Sequence, residues 1–310
     1  MEKPKECFKT SVGGQALMEG IMMRGPEKIC VAVRRPDGTI DLTHEDVKHH
    51  KWQKIPLVRG AIAMIENLVL GYRYLMHSAD ISMDEDHTEE PSKFDKWLEE
   101  HTGPRFQNFL MGLAAVVGGM LAIVLFMVLP TTIVGAINHF IPLGYGKVIL
   151  EGVLKIAMFV TYLFLCTRMK DVHRVFEYHG AEHKTIACYE AGEELTVENV
   201  RKHCRFHPRC GTSFMILVLV VSILLFSILP WSSTSLRVVL KLLLLPAVMG
   251  ISYELIKLAG RYDNILTRII SAPGLWLQRL TTFEPDDSMI EVAIAAVKPV
   301  LPERPEDGLW

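Results

Sequence analysis

The longest uninterrupted apolar stretches lie in the middle and later parts of the chain. Residues 109–129, 148–166, 214–231 and 238–258 are each close to the length needed to cross a bilayer as a helix, since a hydrocarbon core about 30 Å thick takes about 20 helical residues. The first run is apolar throughout and ends at Pro130. The second carries only Glu151 and Lys155, one helical turn apart and expected to pair, which lowers the cost of insertion. The third has no charge, and the fourth carries Lys241, Glu254 and Lys257 with a kink expected at Pro246. The pattern predicts a mainly α chain, a polytopic helical membrane protein with about four spanning helices.

Other periods appear on either side of these runs. Val31-Ala-Val-Arg-Arg35, a Pro36-Asp-Gly38 turn and Thr39-Ile-Asp-Leu42 predict a β-hairpin, the seed of a small cytoplasmic α+β portion. Gly13, Gly14, Gly20 and Gly25 precede it and read as glycines at tight turns; a phosphate-binding loop would need a Gly-Lys-Ser/Thr ending and a following helix. His44, His49 and His50 read as surface histidines. Residues 57–76 have helical periodicity broken by Arg59, Glu66 and Arg73, which predicts a helix in the interface or against the bundle. Residues 83–90 form an acidic linker and 94–100 a short surface helix. Residues 273–280 are amphipathic and suited to a membrane surface, and a capped helix at 289–297 packs on the cytoplasmic part. A disordered Pro-rich tail is expected from Pro299.

The expected organisation is therefore 1–82, a glycine-rich, hairpin and interfacial-helix region; 83–108, linker and surface helix; and 109–166, a first membrane helix pair. It continues with 167–213, a cytoplasmic loop rich in His, Glu and Cys; 214–258, a second helix pair; and 259–310, amphipathic helices and tail.

Charge orients these segments. Lys and Arg number 15 before the first run, 8 in residues 167–213 and 6 from Lys257 onward, whereas the short connections carry only Lys147 and Arg237. The positive-inside bias then places both termini and the central loop in the cytoplasm, so a multi-pass cell-membrane protein with the lipid bilayer as its first partner is expected. With 33 basic against 35 acidic residues and no basic cluster interleaved with aromatics, nucleic acid is not an expected partner. The six cysteines are scattered, unlike a disulfide framework. The first residues, MEKPKECFKTSVGG, lack the apolar core of a cleavable signal peptide.

Chemistry concentrates in the central loop. His179-Gly-Ala-Glu-His183 fits H-x-x-E-H, the inverted zinc-protease helix motif. Residues four apart share a helix face, so both imidazoles can reach one ion, while Glu182 serves as general base toward the attacking water. The competing reading is a polar surface helix. Cys204-x-x-His207-x-x-Cys210 adds three N/S ligands on a loop broken by Pro208 and Gly211. Thiolate and imidazole favour Zn²⁺ over another divalent transition metal, either as a third catalytic ligand or as a structural knuckle. Glu190 shares the face of His179 and His183 but lies two turns on, about 10 Å along the axis. Glu19, Arg24 and Glu254 rank behind the histidines, and Glu254 has Lys257 nearby as a simple ion-pair partner.

Several long blocks carry a family resemblance: residues 13–25, GGQALMEGIMMRG; 178–187; 195–200; 206–214, FHPRCGTSF; 250–254, GISYE; and 273–287. Together they resemble the YqhQ-like family of bacterial integral membrane proteins, described as predicted metal-dependent enzymes. The resemblance implies a site at His179, Glu182, His183, His207 and Cys210, and leaves Cys204 outside it. The leading expectation is a zinc-type hydrolase at the cytoplasmic membrane face, with Glu182 catalytic and His179, His183, His207 and Cys210 as metal ligands, acting on a peptide or lipid-linked substrate. The alternative is a non-catalytic membrane scaffold or assembly factor with structural zinc. A transporter ranks third, because intramembrane charges are few and no internal repeat is visible.

Overall fold

The computed structural model describes residues 8–83, 104–231, 233–262 and 264–302. Residues 84–90 of the expected linker, the expected helix at 94–100 and the tail beyond 302 lie outside the described residues. The chain is mainly helical and forms two compact units, one comprising residues 1–83, 163–222 and 245–310, the other 84–162 and 223–244.

The first unit is built on a four-stranded antiparallel sheet, β1 (Gly13–Leu17), β2 (Gly20–Arg24), β3 (Lys28–Arg34) and β4 (Ile40–Asp46), in sequence order. The expected hairpin is its β3–β4 half, turning through Gly38 at φ 85°. The other half corrects the sequence reading. Gly13 and Gly14 do not mark turns but lie in β1, whereas Gly20 closes the β1–β2 turn as the first residue of β2. A Cβ on Gly20 would press on the Ala32 carbonyl at 2.6 Å, so close approach of strands accounts for that glycine. The β1–β2 turn instead places Glu19 at φ 50°, a left-handed conformation that costs a non-glycine residue about 1–2 kcal/mol.

Alternation in β2 and β3 sends side chains to two buried faces. Met22, Ile29, Val31 and Val33 meet Tyr74, Leu70 and Leu75 of α1 (Val58–Ser82). Ile21, Met23, Cys30 and Ala32 meet Tyr178, Ala181 and Ile186 of α5 (Lys170–Glu190) and Ile290, Ala293 and Val297 of α10 (Asp287–Val297). Burial on both faces is why β2 reads as a continuous apolar run and hid its strand period. Asp286 caps α10 by accepting a hydrogen bond from the Met289 N–H at 2.9 Å. Packing continues past Pro299, where order was not expected: Val300 is buried, and its carbonyl occupies the space a side chain on Gly25 would need.

Among the described residues, three helices are long and apolar enough to cross a membrane: Gly112–Phe140, Gly146–Cys166 and Thr234–Arg261. This is consistent with a membrane protein. The third expected span, 214–231, forms a shorter apolar helix, α7 (Gly211–Ser227). The first expected span does not stop at Pro130. It runs as α2 (Pro104–Ile123), a π turn (Val124–Val128) and α3 (Leu129–Phe140). Pro130 has no N–H to give the carbonyl four residues back and crowds it. The wider turn just before it, closed by the Leu129 N–H on the Val124 carbonyl, absorbs that defect.

The second unit contains α2, the π turn, α3, most of α4 (Gly146–Cys166), the C-terminal end of α7 and the N-terminal part of α8 (Thr234–Arg261). Glu151 does not depend on Lys155, as the sequence led one to expect. Its carboxylate binds Arg237 and Lys241, both from α8, together with Thr131 of α3. Likewise Glu254, in the first unit, pairs with Arg59 of α1, whose Nε is 2.7 Å from Oε1.

Candidate metal centre

The ligand-bearing helix α5 is enclosed by the sheet and α10, so the motif does not lie on a polar surface helix: Glu182, His183, Lys184 and Thr185 are all buried. Gly180, a poor helix former by sequence, has a packing reason, because a Cβ there would collide with the Phe283 carbonyl. His173 stacks on the Phe283 ring with centroids 4.1 Å apart. Lys184 and Arg205 both bind Glu284, at 2.6 and 3.0 Å. The segment after α9 (Ile265–Thr281) is thereby laid along α5.

Two backbone carbonyls orient the histidines. His179 Nδ1 donates to the Thr281 carbonyl at 2.7 Å, and His183 Nδ1 donates to the Arg205 carbonyl at 2.6 Å. In both rings this leaves Nε2 to face the site, the outer-shell arrangement common around ligating histidines. His179 Nε2 lies 3.1 Å from Cys210 Sγ, and the two rings are 4.4 Å apart between centroids. One ligand atom from each of His179, His183 and Cys210 lies within 4.8 Å of the others.

Cys210 immediately precedes α7 and acts as its cap. Its carbonyl accepts from the Ser213 N–H at 3.0 Å, and its sulfur lies 3.4 Å from the Thr212 nitrogen. Burial opposes ionisation of this thiol, yet His179 and His183 outweigh burial and hold it well below its ordinary value. Burial likewise pushes His179 down, but the adjacent Cys210 sulfur overcomes it and carries the imidazole up to about 9.

Glu182 reaches the same space from the facing side of β1. It accepts a hydrogen bond from the Gly14 N–H, and burial pushes its carboxyl up against the opposing pull of the two histidines. A Cβ on Gly14 would lie 3.1 Å from the Glu182 carboxyl carbon, so that glycine lets the strand reach the acid. His183 Nε2 and Glu182 Oε2 are buried here without a hydrogen-bond partner among the described residues. A divalent transition metal fits this arrangement. Two imidazoles and a thiolate suit Zn²⁺, and a ligated Nε2 explains an otherwise costly orphan.

His207 and Cys204, which the sequence grouped with Cys210, separate in space. His207 is buried with its ring centroid 5.6 Å from that of His183, but its Nε2 faces Arg209 at 3.2 Å and Glu190 at 3.6 Å. Burial lowers its pKa, with Glu190 resisting. Glu190 itself is held by Arg209 and by the Thr10 N–H, so it supports His207 rather than the histidine pair. Cys204 is exposed and accepts only a weak contact from the Phe206 N–H. Glu19 does not join the site either; it binds Arg174 at 2.6 Å and the Tyr178 hydroxyl at 3.1 Å, pinning the β1–β2 turn to α5.

The sequence reading missed Gln278. Its side chain accepts from the His207 N–H at 2.8 Å and donates to the His207 carbonyl at 2.7 Å, clamping the ligand loop. Gln278 is fully buried on a helix whose sequence is amphipathic, and its burial is a feature of the fold that the sequence does not display. A second group, Cys188, Glu193 and His203, also brings ligand atoms together. There the thiol donates to the Glu194 carbonyl, and burial pushes it up to about 11, conditions that favour a protonated sulfur.

No solved structure matches the chain. The family model "Protein of unknown function (DUF1385)" matches residues 55–303. The uncharacterized protein YqhQ of Bacillus subtilis (strain 168) is 34% identical over 306 residues, covering 96% of this chain and 94% of the relative. The chain belongs to the DUF1385 family, with the YqhQ protein as one of its relatives.

Proposed function

We propose that the protein is a metal-dependent hydrolase at the cytoplasmic face of the membrane, with His179, His183 and Cys210 holding Zn²⁺ and Glu182 as general base. The observation that carries this reading is the convergence of two carbonyl-oriented imidazoles and a thiolate beside a buried carboxylate with an unpartnered oxygen. A bound Zn²⁺ supplies Lewis acidity toward a substrate carbonyl or phosphoryl oxygen. The elevated proton affinity of Glu182 suits it to take a proton from the attacking water and return it to the leaving group. The Gly14 N–H keeps that carboxylate in place, and His207, backed by Glu190, borders the site as a neutral hydrogen-bonding group.

The membrane placement extends the three candidate spans to four. The α7 helix has 17 residues, about 26 Å of helix, the lower limit for a span. Four crossings put residues 167–213 and both termini on the cytoplasmic side, next to peptide or lipid-linked substrates. Exposed Ile65, Leu68 and Val69 of α1 and Ile265, Ile269 and Trp276 of α9 suit contact with the same surface.

The scaffold reading with structural zinc predicts the same metal content, so Glu182 separates the two. Elemental analysis of detergent-purified protein should give about one equivalent of zinc, lost in His183→Ala and in Cys210→Ala. Glu182→Gln should keep the metal and fail to complement a null strain. Full complementation by a metal-replete Glu182→Gln protein would favour the scaffold, and absence of metal after purification with added zinc would overturn both readings.

A further inference from the structure

We propose that the second unit binds one small monatomic anion, of the size and charge of chloride, between Lys155 and Arg237. Four charged side chains meet within this unit, and none reaches water appreciably: Glu151 and Lys155 are 4% exposed, Arg237 1% and Lys241 0%. Glu151 spends both oxygens on two of the cations. Lys241 and Thr131 share Oε1, and Arg237 Nη2 reaches Oε2 at 3.0 Å. The remaining hydrogen bonds of Arg237 go to the Leu229 and Phe226 carbonyls, at 2.6 and 3.0 Å. With all four groups ionised, the cluster holds three positive charges against one negative.

Two donors are left over. Lys155 has no hydrogen bond with a described residue, and its Nζ lies 4.8 Å from the centre of the Phe226 ring. Arg237 Nε is buried without a hydrogen-bond partner among the described residues. Lys155 and Arg237 line the same small cavity, with Glu151, Gly152, Ile223, Phe226 and Ser227 around it. An arginine stays protonated in any protein setting, and an uncompensated buried cation costs several kcal/mol. A π face at about 5 Å offsets only part of that for Lys155. An anion on Lys155 Nζ and Arg237 Nε would satisfy both orphaned donors and lower the local charge excess.

The size of the cavity selects the class of anion. It measures about 10 Å³, room for about one water-sized atom and too little for phosphate or a carboxylate. Gly152 borders it with Ile223 3.0 Å from where a Cβ would stand, so the wall on that side is already closed.

The test uses the full chain in detergent, comparing sodium chloride with sodium gluconate at fixed ionic strength. We expect chloride to raise the unfolding midpoint saturably, by about 3 °C at concentrations well above its Kd, and to show ³⁵Cl line broadening that bromide displaces. Both effects should vanish in Lys155→Met and persist in Lys202→Gln, an exposed lysine of α6 (Val197–Lys202). Equal midpoints in chloride and gluconate for the wild type would overturn the proposal, as expected if Lys155 is simply uncharged. So would broadening unchanged in Lys155→Met, or stabilisation by phosphatidylglycerol with none by chloride. Should Lys155→Met not fold, the wild-type titration and bromide displacement decide alone.

Discussion

The two units each bury a polar cluster, and they do so by opposite means. Around His179, His183 and Cys210 the groups are soft and individually able to be neutral, backbone carbonyls orient the two imidazoles, and one ligand atom from each residue lies within 4.8 Å of the others. Around Glu151 the groups are hard ions, oriented by one another, and the leftover donors belong to cations. Low dielectric makes both clusters costly unless completed. On the readings proposed above, the first is completed by a cation and the second by more negative charge.

This contrast can be broken most severely at the first cluster. His183→Ala or Cys210→Ala should take zinc content from about one equivalent to near zero, while Glu151→Gln should leave it unchanged; a shared loss would deny that the clusters are independent. Glu182→Gln should preserve metal and cut turnover by about 10²–10⁴-fold, the usual range for a general base, read as lost complementation. On stability the second cluster should dominate. Glu151→Gln leaves two cations without their counter-charge and should cost about 3–5 kcal/mol, measured by thermal unfolding in detergent. Gly180→Ala forces α5 off the Phe283 carbonyl and should cost about 1–3 kcal/mol by overpacking. Smallest of all, Cys204→Ser should stay within about 0.5 kcal/mol of the parent, as a surface change does.

The two clusters also differ in how far the sequence revealed them. His179, Glu182 and His183 were legible because helical spacing alone puts i and i+4 on one face. Cys210 was legible as a ligand type, but a loop has no period, so nothing local could say that Cys210 enters the site while His207 turns to Glu190 and Cys204 to solvent. The β3–β4 hairpin announced itself through its Pro-Asp-Gly turn. Strands β1 and β2 did not, because glycines demanded by close backbone contact look like turn glycines, and two buried faces erase alternation. Lys155 sat one turn from Glu151 and invited a local pair; the actual partners, Arg237 and Lys241, are more than 80 residues away. Long-range ionic choice leaves no mark on neighbouring residues.

The Thr281 carbonyl on His179 and the Phe283 carbonyl over Gly180 also impose an order on biosynthesis. At about 5–20 residues per second, the ribosome delivers these two residues several seconds after the histidines, when the apolar segments of α7 and α8 have already been made. Until then His179 has no fixed tautomer and α5 has no lid on its glycine. On the proposed zinc reading, metal acquisition is thus a late event, following the synthesis of these helices rather than guiding it, and a chain truncated before residue 281 should emerge with its histidines and cysteine intact but unable to retain the ion.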